Sequence, residues 1–88
     1  MDTWHALRLE LEREAEAIFA SSGEIVLVTL DRESDSILML ISRTKSLQLT
    51  WTPERNAVRW DRPHEYGFEK IPGEMALLAH SLMQRVRQ

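Results

Sequence analysis

The sequence predicts an α+β domain, with a four- to five-stranded antiparallel meander sheet and N- and C-terminal helices packed on one face (α-β-β-β-β-α). Apolar residues recur at helical spacing near both ends of the chain, and the segment between them consists of short β-rich runs. The connections between these runs are too short for crossover helices. Neighbouring strands are therefore expected to be antiparallel.

The first helix is predicted to begin at a capping residue, Asp2 or Thr3, and to end near Ser21, with Gly23 as its stop. A single apolar stripe runs along this helix, formed by Trp4, Leu7, Leu11, Ala15, Ile18 and Phe19. One side of the helix is therefore expected to be buried. Leu9 lies away from this stripe.

The predicted strands follow the glycine at residues 24–30, 37–42, 47–51 and 58–61. Residues 66–71 are compatible with a fifth, short edge strand, although Pro63, Gly67 and Pro72 interrupt this region. The first two strands are apolar at nearly every position. This pattern predicts either central strands covered on both faces or one face covered by a second copy of the chain.

The closing helix is predicted to have Pro72 in its first turn and to reach about Arg87. Its apolar stripe consists of Met75, Leu78, Ala79, Leu82 and Val86. Leu77 lies opposite that stripe.

With both helices on one face of the sheet, the other face needs a cover. We predict dimerisation through that face, with Leu9 or Leu77 adding to the contact. The alternative is a cover formed within one chain by Trp51, Trp60, Tyr66 and the loop around Pro63.

The stretch "LQLTWTPERNAVRW" at residues 47–60 predicts a hairpin in which Trp51 lies opposite Trp60. The turn is either a two-residue loop at residues 55–56 or a four-residue loop at residues 54–57. In both cases the two indoles share a face of the sheet. They either lie over the core or form a surface on which a ligand stacks.

Basic residues surround this hairpin, and the candidate binding residues are Arg43, Lys45, Trp51, Arg59, Trp60, Arg62 and His64. Cations interleaved with aromatic rings are typical of proteins that bind single-stranded nucleic acid. Arginines also bind carboxylates, and tryptophans are frequent anchors in protein interfaces. The pattern therefore indicates a binding surface for a protein or a nucleic acid.

The chain has 88 residues, of which 43% are hydrophobic, and this suits a single domain over residues 1–88. The net charge of −3 divides unevenly: residues 1–35 hold nine acidic residues against three arginines, and residues 36–88 hold eight basic residues against five acidic ones. Such opposed halves attract one another within a monomer or across a dimer, or form two binding surfaces.

The chain contains no cysteine, and its apolar runs are too short to span a bilayer. These features predict a soluble, cytoplasmic protein without a membrane partner. Carboxylates at helical spacing in the first helix lack the Glu-x-x-His unit of helical metal sites, and the three histidines lack the spacing of a zinc site. No catalytic residue, metal site or cofactor is predicted.

The order of elements resembles that of frataxins, with an acidic first helix, an antiparallel sheet rich in aromatic residues and a closing helix. The resemblance spans nearly the whole chain as topology. It implies an iron or iron-sulfur assembly partner and an acidic ridge formed by Glu10, Glu12, Glu14, Glu16 and Glu24. Residues 47–60 do not match the strand-turn motif around the sheet tryptophan of frataxins, so the sequence assigns no family.

The sequence thus predicts a small non-enzymatic protein-interaction module that forms a homodimer. Its partner is another protein or a second copy of the chain. The first alternative is a single-stranded nucleic acid binder that uses the tryptophan and arginine hairpin. The second is an acidic metal-handling domain with the frataxin-like plan.

Overall fold

The structure is a computed structural model that describes residues 3–88. Its elements are α1 (Thr3–Ser22), β1 (Val26–Leu30), β2 (Ile37–Ser42), β3 (Lys45–Thr52), a 3-10 turn (Pro53–Arg55), β4 (Ala57–Arg62), β5 (Glu65–Lys70) and α2 (Met75–Arg87). The strands form one antiparallel sheet in the order β1-β2-β3-β4-β5. This confirms the predicted fold class, with the fifth strand present. The proposed cap at Asp2 lies outside the described residues.

Both helices pack on the same face of the sheet and share one hydrophobic core with it. The fully buried side chains at its centre are Leu7, Leu11, Leu38, Leu40, Leu47, Leu49, Val58, Leu82, Met83 and Val86. In the strands these residues alternate with more exposed ones, as expected when one face of a sheet is covered. The predicted stripe of α2 is confirmed, and Met83 widens it.

One residue of the predicted α1 stripe is exposed. Phe19 is 57% exposed, whereas Ile18 beside it is buried. Phe19 and Val26 line the same surface cavity, and Val26 belongs to the edge strand β1. Because the sheet ends at β1, no further strand from residues 3–88 lies beneath Phe19. The prediction of a buried Phe19 was therefore wrong.

The closing helix begins later than predicted. It starts at Met75, and Glu74 at its N-cap has an extended backbone with φ −120° and ψ 120°. Pro72 therefore precedes the helix and is not part of its first turn. At the start of α2, the N–H of Leu77 donates a hydrogen bond to the carbonyl of Glu74 at 3.2 Å.

The β3–β4 hairpin has a different register from the predicted one. Trp51 lies opposite Val58, and Trp60 lies opposite Leu49, so the predicted Trp51–Trp60 pair was wrong. The cause is the turn. Pro53 opens a 3-10 turn and Asn56 closes it in the left-handed region at φ 49°, which makes residues 53–56 the loop. Both indoles nevertheless point to the helix-covered face, because the shift preserves the alternation of side chains.

Gly67 in β5 lies opposite Trp60 in β4. It allows β5 to pass directly beneath the indole of Trp60. A Cβ atom added at Gly67 would lie 2.5 Å from Cζ2 of Trp60. That separation is far below a van der Waals contact. The close approach of strand and ring therefore requires a residue without a side chain at this position.

Gly67→Ala is expected to lower the free energy of unfolding by about 1–3 kcal/mol, because the added methyl group forces the buried indole to move. Urea denaturation provides the measurement. Gly73→Ala is the matched control, since a Cβ atom there meets nothing within 4 Å, and it should change stability by no more than about 1 kcal/mol. Equal stability of the two variants would contradict this account of Gly67.

Candidate interaction surface

The three tryptophans lie on the helix-covered side of the sheet. Trp60 is only 7% exposed. Trp4 from α1 and Trp51 from β3 stack with ring centroids 6.1 Å apart and planes inclined by 17°. The indole N–H of Trp4 donates to the backbone carbonyl of Asp35 at 2.7 Å. These contacts join α1 to the sheet, so the tryptophans contribute to the core rather than to a ligand-stacking surface.

Two arginines cover the buried indole of Trp60. The guanidinium carbon of Arg85 lies 4.3 Å from the ring centroid, and that of Arg62 lies 5.7 Å away. Arg62 also donates to the backbone carbonyl of Arg85. Arg85 in turn pairs with Glu69 at 3.2 Å. Arg62 is thus bound to α2 and helps to close the core at its rim.

The structure does not bring the seven candidate binding residues together. Trp51, Trp60 and Arg62 point to the helix-covered face, and Arg59 points to the opposite face. The other three, Arg43, Lys45 and His64, lie in or beside the two hairpin turns that follow β2 and β4. The alternation of side chains along β4 is the reason, because it directs Arg59 and Trp60 to opposite sides.

Arg43 and Lys45 remain close to one another at the end of the sheet where α2 finishes. With Arg87 and Glu24 they line a cleft of about 270 Å³. Glu24 accepts hydrogen bonds from Arg87 at 3.2 Å and from Ser42 at 2.8 Å. Both hydrogen bonds lower the pKa of the Glu24 carboxyl below its ordinary value, and the bond from Arg87 has the larger effect. This cluster fixes the start of β1 to the end of α2.

The face of the sheet opposite the helices is not covered by any of residues 3–88. We call it the open face, and its side chains include Leu27, Thr29, Ile37, Met39 and Ile41 from β1 and β2, Ser46, Gln48 and Thr50 from β3, and Arg59, Asp61, Tyr66 and Phe68 from β4 and β5. Leu27 is 50% exposed and Tyr66 is 61% exposed. The open face therefore has an apolar side at β1 and β2 and an aromatic side at β5, with a polar centre.

Arginines lie over the aromatic rings of the open face. The guanidinium carbon of Arg59 is 4.3 Å from the centroid of Tyr66, and that of Arg55 is 4.5 Å from the centroid of Phe68. Arg59 also donates to both carboxylate oxygens of Asp61, and these bonds raise the pKa of Arg59. Sequence reasoning missed Tyr66 and Phe68 as partners of Arg59. Their period-two spacing in β5 was the available signal.

The carboxylates of α1 form ion pairs along the helix surface. Glu12 pairs with Arg8 at 3.2 Å, and Glu10 pairs with Arg13 at 3.0 Å. Glu14 lies 3.6 Å from His80 of α2. Within residues 3–88, no three His, Cys, Asp or Glu side chains are grouped so that they could hold a metal ion. The described part of α1 therefore gives the acidic metal-handling alternative no ligand set.

No protein-family model, curated protein or solved structure matches this chain. The frataxin resemblance thus stays a likeness in the order of the elements. None of the helices in residues 3–88 is long and apolar enough to cross a membrane.

Trp60→Ala is expected to lower the free energy of unfolding by about 3–5 kcal/mol, because it leaves a cavity in the core and removes the ring that Arg62 and Arg85 contact. Leu77→Ala is the matched control, since Leu77 is 62% exposed on α2, and it should cost no more than about 0.5 kcal/mol. Urea denaturation followed by circular dichroism measures both. Surface substitutions typically change the free energy of unfolding by no more than about 0.5 kcal/mol. A loss below about 1 kcal/mol for Trp60→Ala would therefore show that the indole is not part of the core.

The lowered pKa of Glu24 predicts a pH-dependent contribution to stability. Folding favours the carboxylate, so this contribution is complete above the ordinary value of 4.5 and is lost as the pH falls through the lowered pKa. Wild type should therefore be more stable than Glu24→Gln at neutral pH, and the difference should shrink in acid. Urea titrations across this range test the prediction. Glu33→Gln, which removes a carboxylate from the exposed β1–β2 loop, is the control for the change in net charge. A difference in stability between wild type and Glu24→Gln that does not change with pH would contradict the prediction.

Proposed function

We propose that this chain is a small non-enzymatic protein-interaction module that works as a homodimer and binds a protein partner through the open face. The observation that carries the proposal is the uncovered apolar side of this face, where Leu27, Met39 and Ile41 lie on neighbouring strands. Monomeric proteins rarely leave contiguous apolar patches exposed unless the patch binds something.

The composition of the open face favours a protein partner. Leucine, isoleucine and methionine supply apolar contact, and the unbranched Met39 can adapt to partners of different shape. Tyrosine and arginine, which meet here as Tyr66 and Arg59, are enriched among residues that dominate binding energy. A matching partner surface would place apolar side chains on β1 and β2 and a carboxylate near Arg55, since Arg59 is already paired with Asp61.

Single-stranded nucleic acid is the second candidate, and the exposed rings of β5 are the observation that favours it. Tyr66 and Phe68 offer stacking surfaces beside Arg55 and Arg59, which could neutralise phosphates. The hairpin tryptophans are not available for stacking, because Trp60 is in the core and Trp51 packs against it. The apolar β1–β2 side of the open face and the net charge of −3 favour the protein partner instead.

Site-specific photo-crosslinking tests the protein-binding proposal. A photoreactive amino acid at Met39 or Tyr66 should capture one protein partner in cells, and the same group at Leu77 on α2 should not capture it. The purified partner is then titrated against wild type, Met39→Glu and Leu77→Glu. We expect Met39→Glu to weaken binding at least about 100-fold, because a buried unpaired carboxylate is costly, and Leu77→Glu to change it less than about threefold.

Two results would contradict the proposal. One is capture of the same proteins from Met39, Tyr66 and Leu77, which would show that the open face has no selectivity. The other is unchanged affinity of Met39→Glu for the purified partner. If a fluorescent oligonucleotide instead binds wild type, with an affinity that falls steeply with salt and is lost in Tyr66→Ala, the nucleic-acid candidate replaces the protein partner.

A further inference from the structure

The two edge strands of the sheet differ in how they are protected. Exposed edges of sheets pair with other chains unless charges, glycine or proline interrupt them. At one edge, β5 has the sequence EYGFEK and carries three charged residues and a glycine. At the other edge, β1 has the sequence VLVTL and carries no charge, glycine or proline. Of the two edges, β1 is therefore the one suited to pairing with another strand.

The backbone of β1 presents free hydrogen-bonding groups at this edge. The N–H of Asp31 donates to the carbonyl of Ile37 in β2 at 3.0 Å. Because the bonds of an antiparallel ladder alternate, the odd-numbered residues of β1 face β2, and Val26, Val28 and Leu30 direct their N–H and C=O groups outward. Within residues 3–88 no strand lies beyond β1. The partner that fits such a row of groups is an extended strand.

Exposed apolar side chains gather around the same strand. Residues 3–88 contain seven exposed large hydrophobic side chains, and four of them lie on β1 or directly beside it: Phe19, Ile25, Leu27 and Leu30. Phe19 and Ile25 line a cavity of about 250 Å³ together with Ala15 and Val26. The edge is therefore flanked by apolar surface on both sides of the sheet, which is the surface that a paired strand would bury.

We infer that β1 pairs antiparallel with β1 of a second copy, so that two five-stranded sheets become one continuous ten-stranded sheet. This inference rests on the homodimer of the proposed function and assigns its contact to the sheet edge. The open faces of the two copies then lie side by side and form one larger binding surface.

A two-fold axis at Val28 gives the greatest overlap of the two strands. It places Val28 opposite Val28 of the second copy and Val26 opposite Leu30 of the second copy, so outward-facing residues meet outward-facing residues. About six backbone hydrogen bonds result. Leu30 of the second copy then lies beside the cavity that Val26 and Phe19 line. The same register carries Glu24 towards Arg32 of the second copy, so the charges that flank the strand are opposite in sign.

The polar centre of the open face argues against the other symmetric arrangement, in which two open faces stack on one another. Stacking would bury Ser46, Gln48 and Thr50 of β3 in the middle of the contact. Buried polar groups are costly unless each finds a hydrogen-bond partner. Edge pairing leaves these side chains in water and still buries Leu30 and part of Phe19.

Sedimentation equilibrium of the full chain and disulfide trapping test this inference. Wild type should sediment at twice the chain mass of 10.3 kDa. The chain contains no cysteine, so introduced cysteines report without interference. A mixture of Leu27→Cys and Thr29→Cys should form a disulfide-linked heterodimer under mild oxidation, because the proposed register places residue 27 opposite residue 29 of the second copy. Each variant alone should form much less of the linked dimer.

Met39→Cys is the control variant for stacked faces. It lies on the open face away from the edge, so it should not cross-link in the edge-paired dimer. A wild-type chain that sediments as a monomer at micromolar concentration would overturn the inference together with the homodimer. A dimer that cross-links through Met39→Cys, or one in which Leu27→Cys and Thr29→Cys do not cross-link, would overturn edge pairing alone. Partner binding is tested separately, by the affinity of Met39→Glu.

Discussion

Both helices pack on the same face of the sheet, and this one-sided packing determines which side chains are buried and which are left at the surface. The core forms where α1 and α2 meet the inward residues of the strands, such as Leu40 and Leu49. With both helices used on one face, no element among residues 3–88 is left to cover the other. For this reason the apolar residues of β1 and β2 that point away from the helices are not fully buried: Leu27 is exposed and Met39 is half-buried.

Charged side chains secure the rim of this one-sided core. Arg85 lies over Trp60 and pairs with Glu69, which ties α2 to β4 and β5. Glu24 binds Arg87 and so ties the start of β1 to the end of α2. Pairs such as Glu24–Arg87 join the acidic first part of the chain to its basic second part. At this pair the opposite charges of the two parts of the sequence attract one another within a single chain.

Much of the fold could be predicted from the sequence, because hydrophobic periodicity determines which elements form and which sides are buried. The hairpin register could not, since it depends on the 3-10 turn at Pro53 and the left-handed backbone of Asn56. The exposure of Phe19 depends on where the sheet ends, which local periodicity does not encode. The candidate binding residues lie near one another in the sequence, but the alternation of side chains along a strand separates Arg59 from Trp60. The pairing of Arg59 with Tyr66 requires the β4–β5 register.

The meander order of the strands also shapes how the chain folds. Every strand pairs only with its neighbours in sequence, so each hairpin closes a short loop and loses little chain entropy when it forms. The contact between α1 and α2 is different, because it brings together the two ends of the chain. Their meeting completes the core, so the native core requires two segments that lie far apart in the sequence, while each strand pairs with a strand that is near it in the sequence.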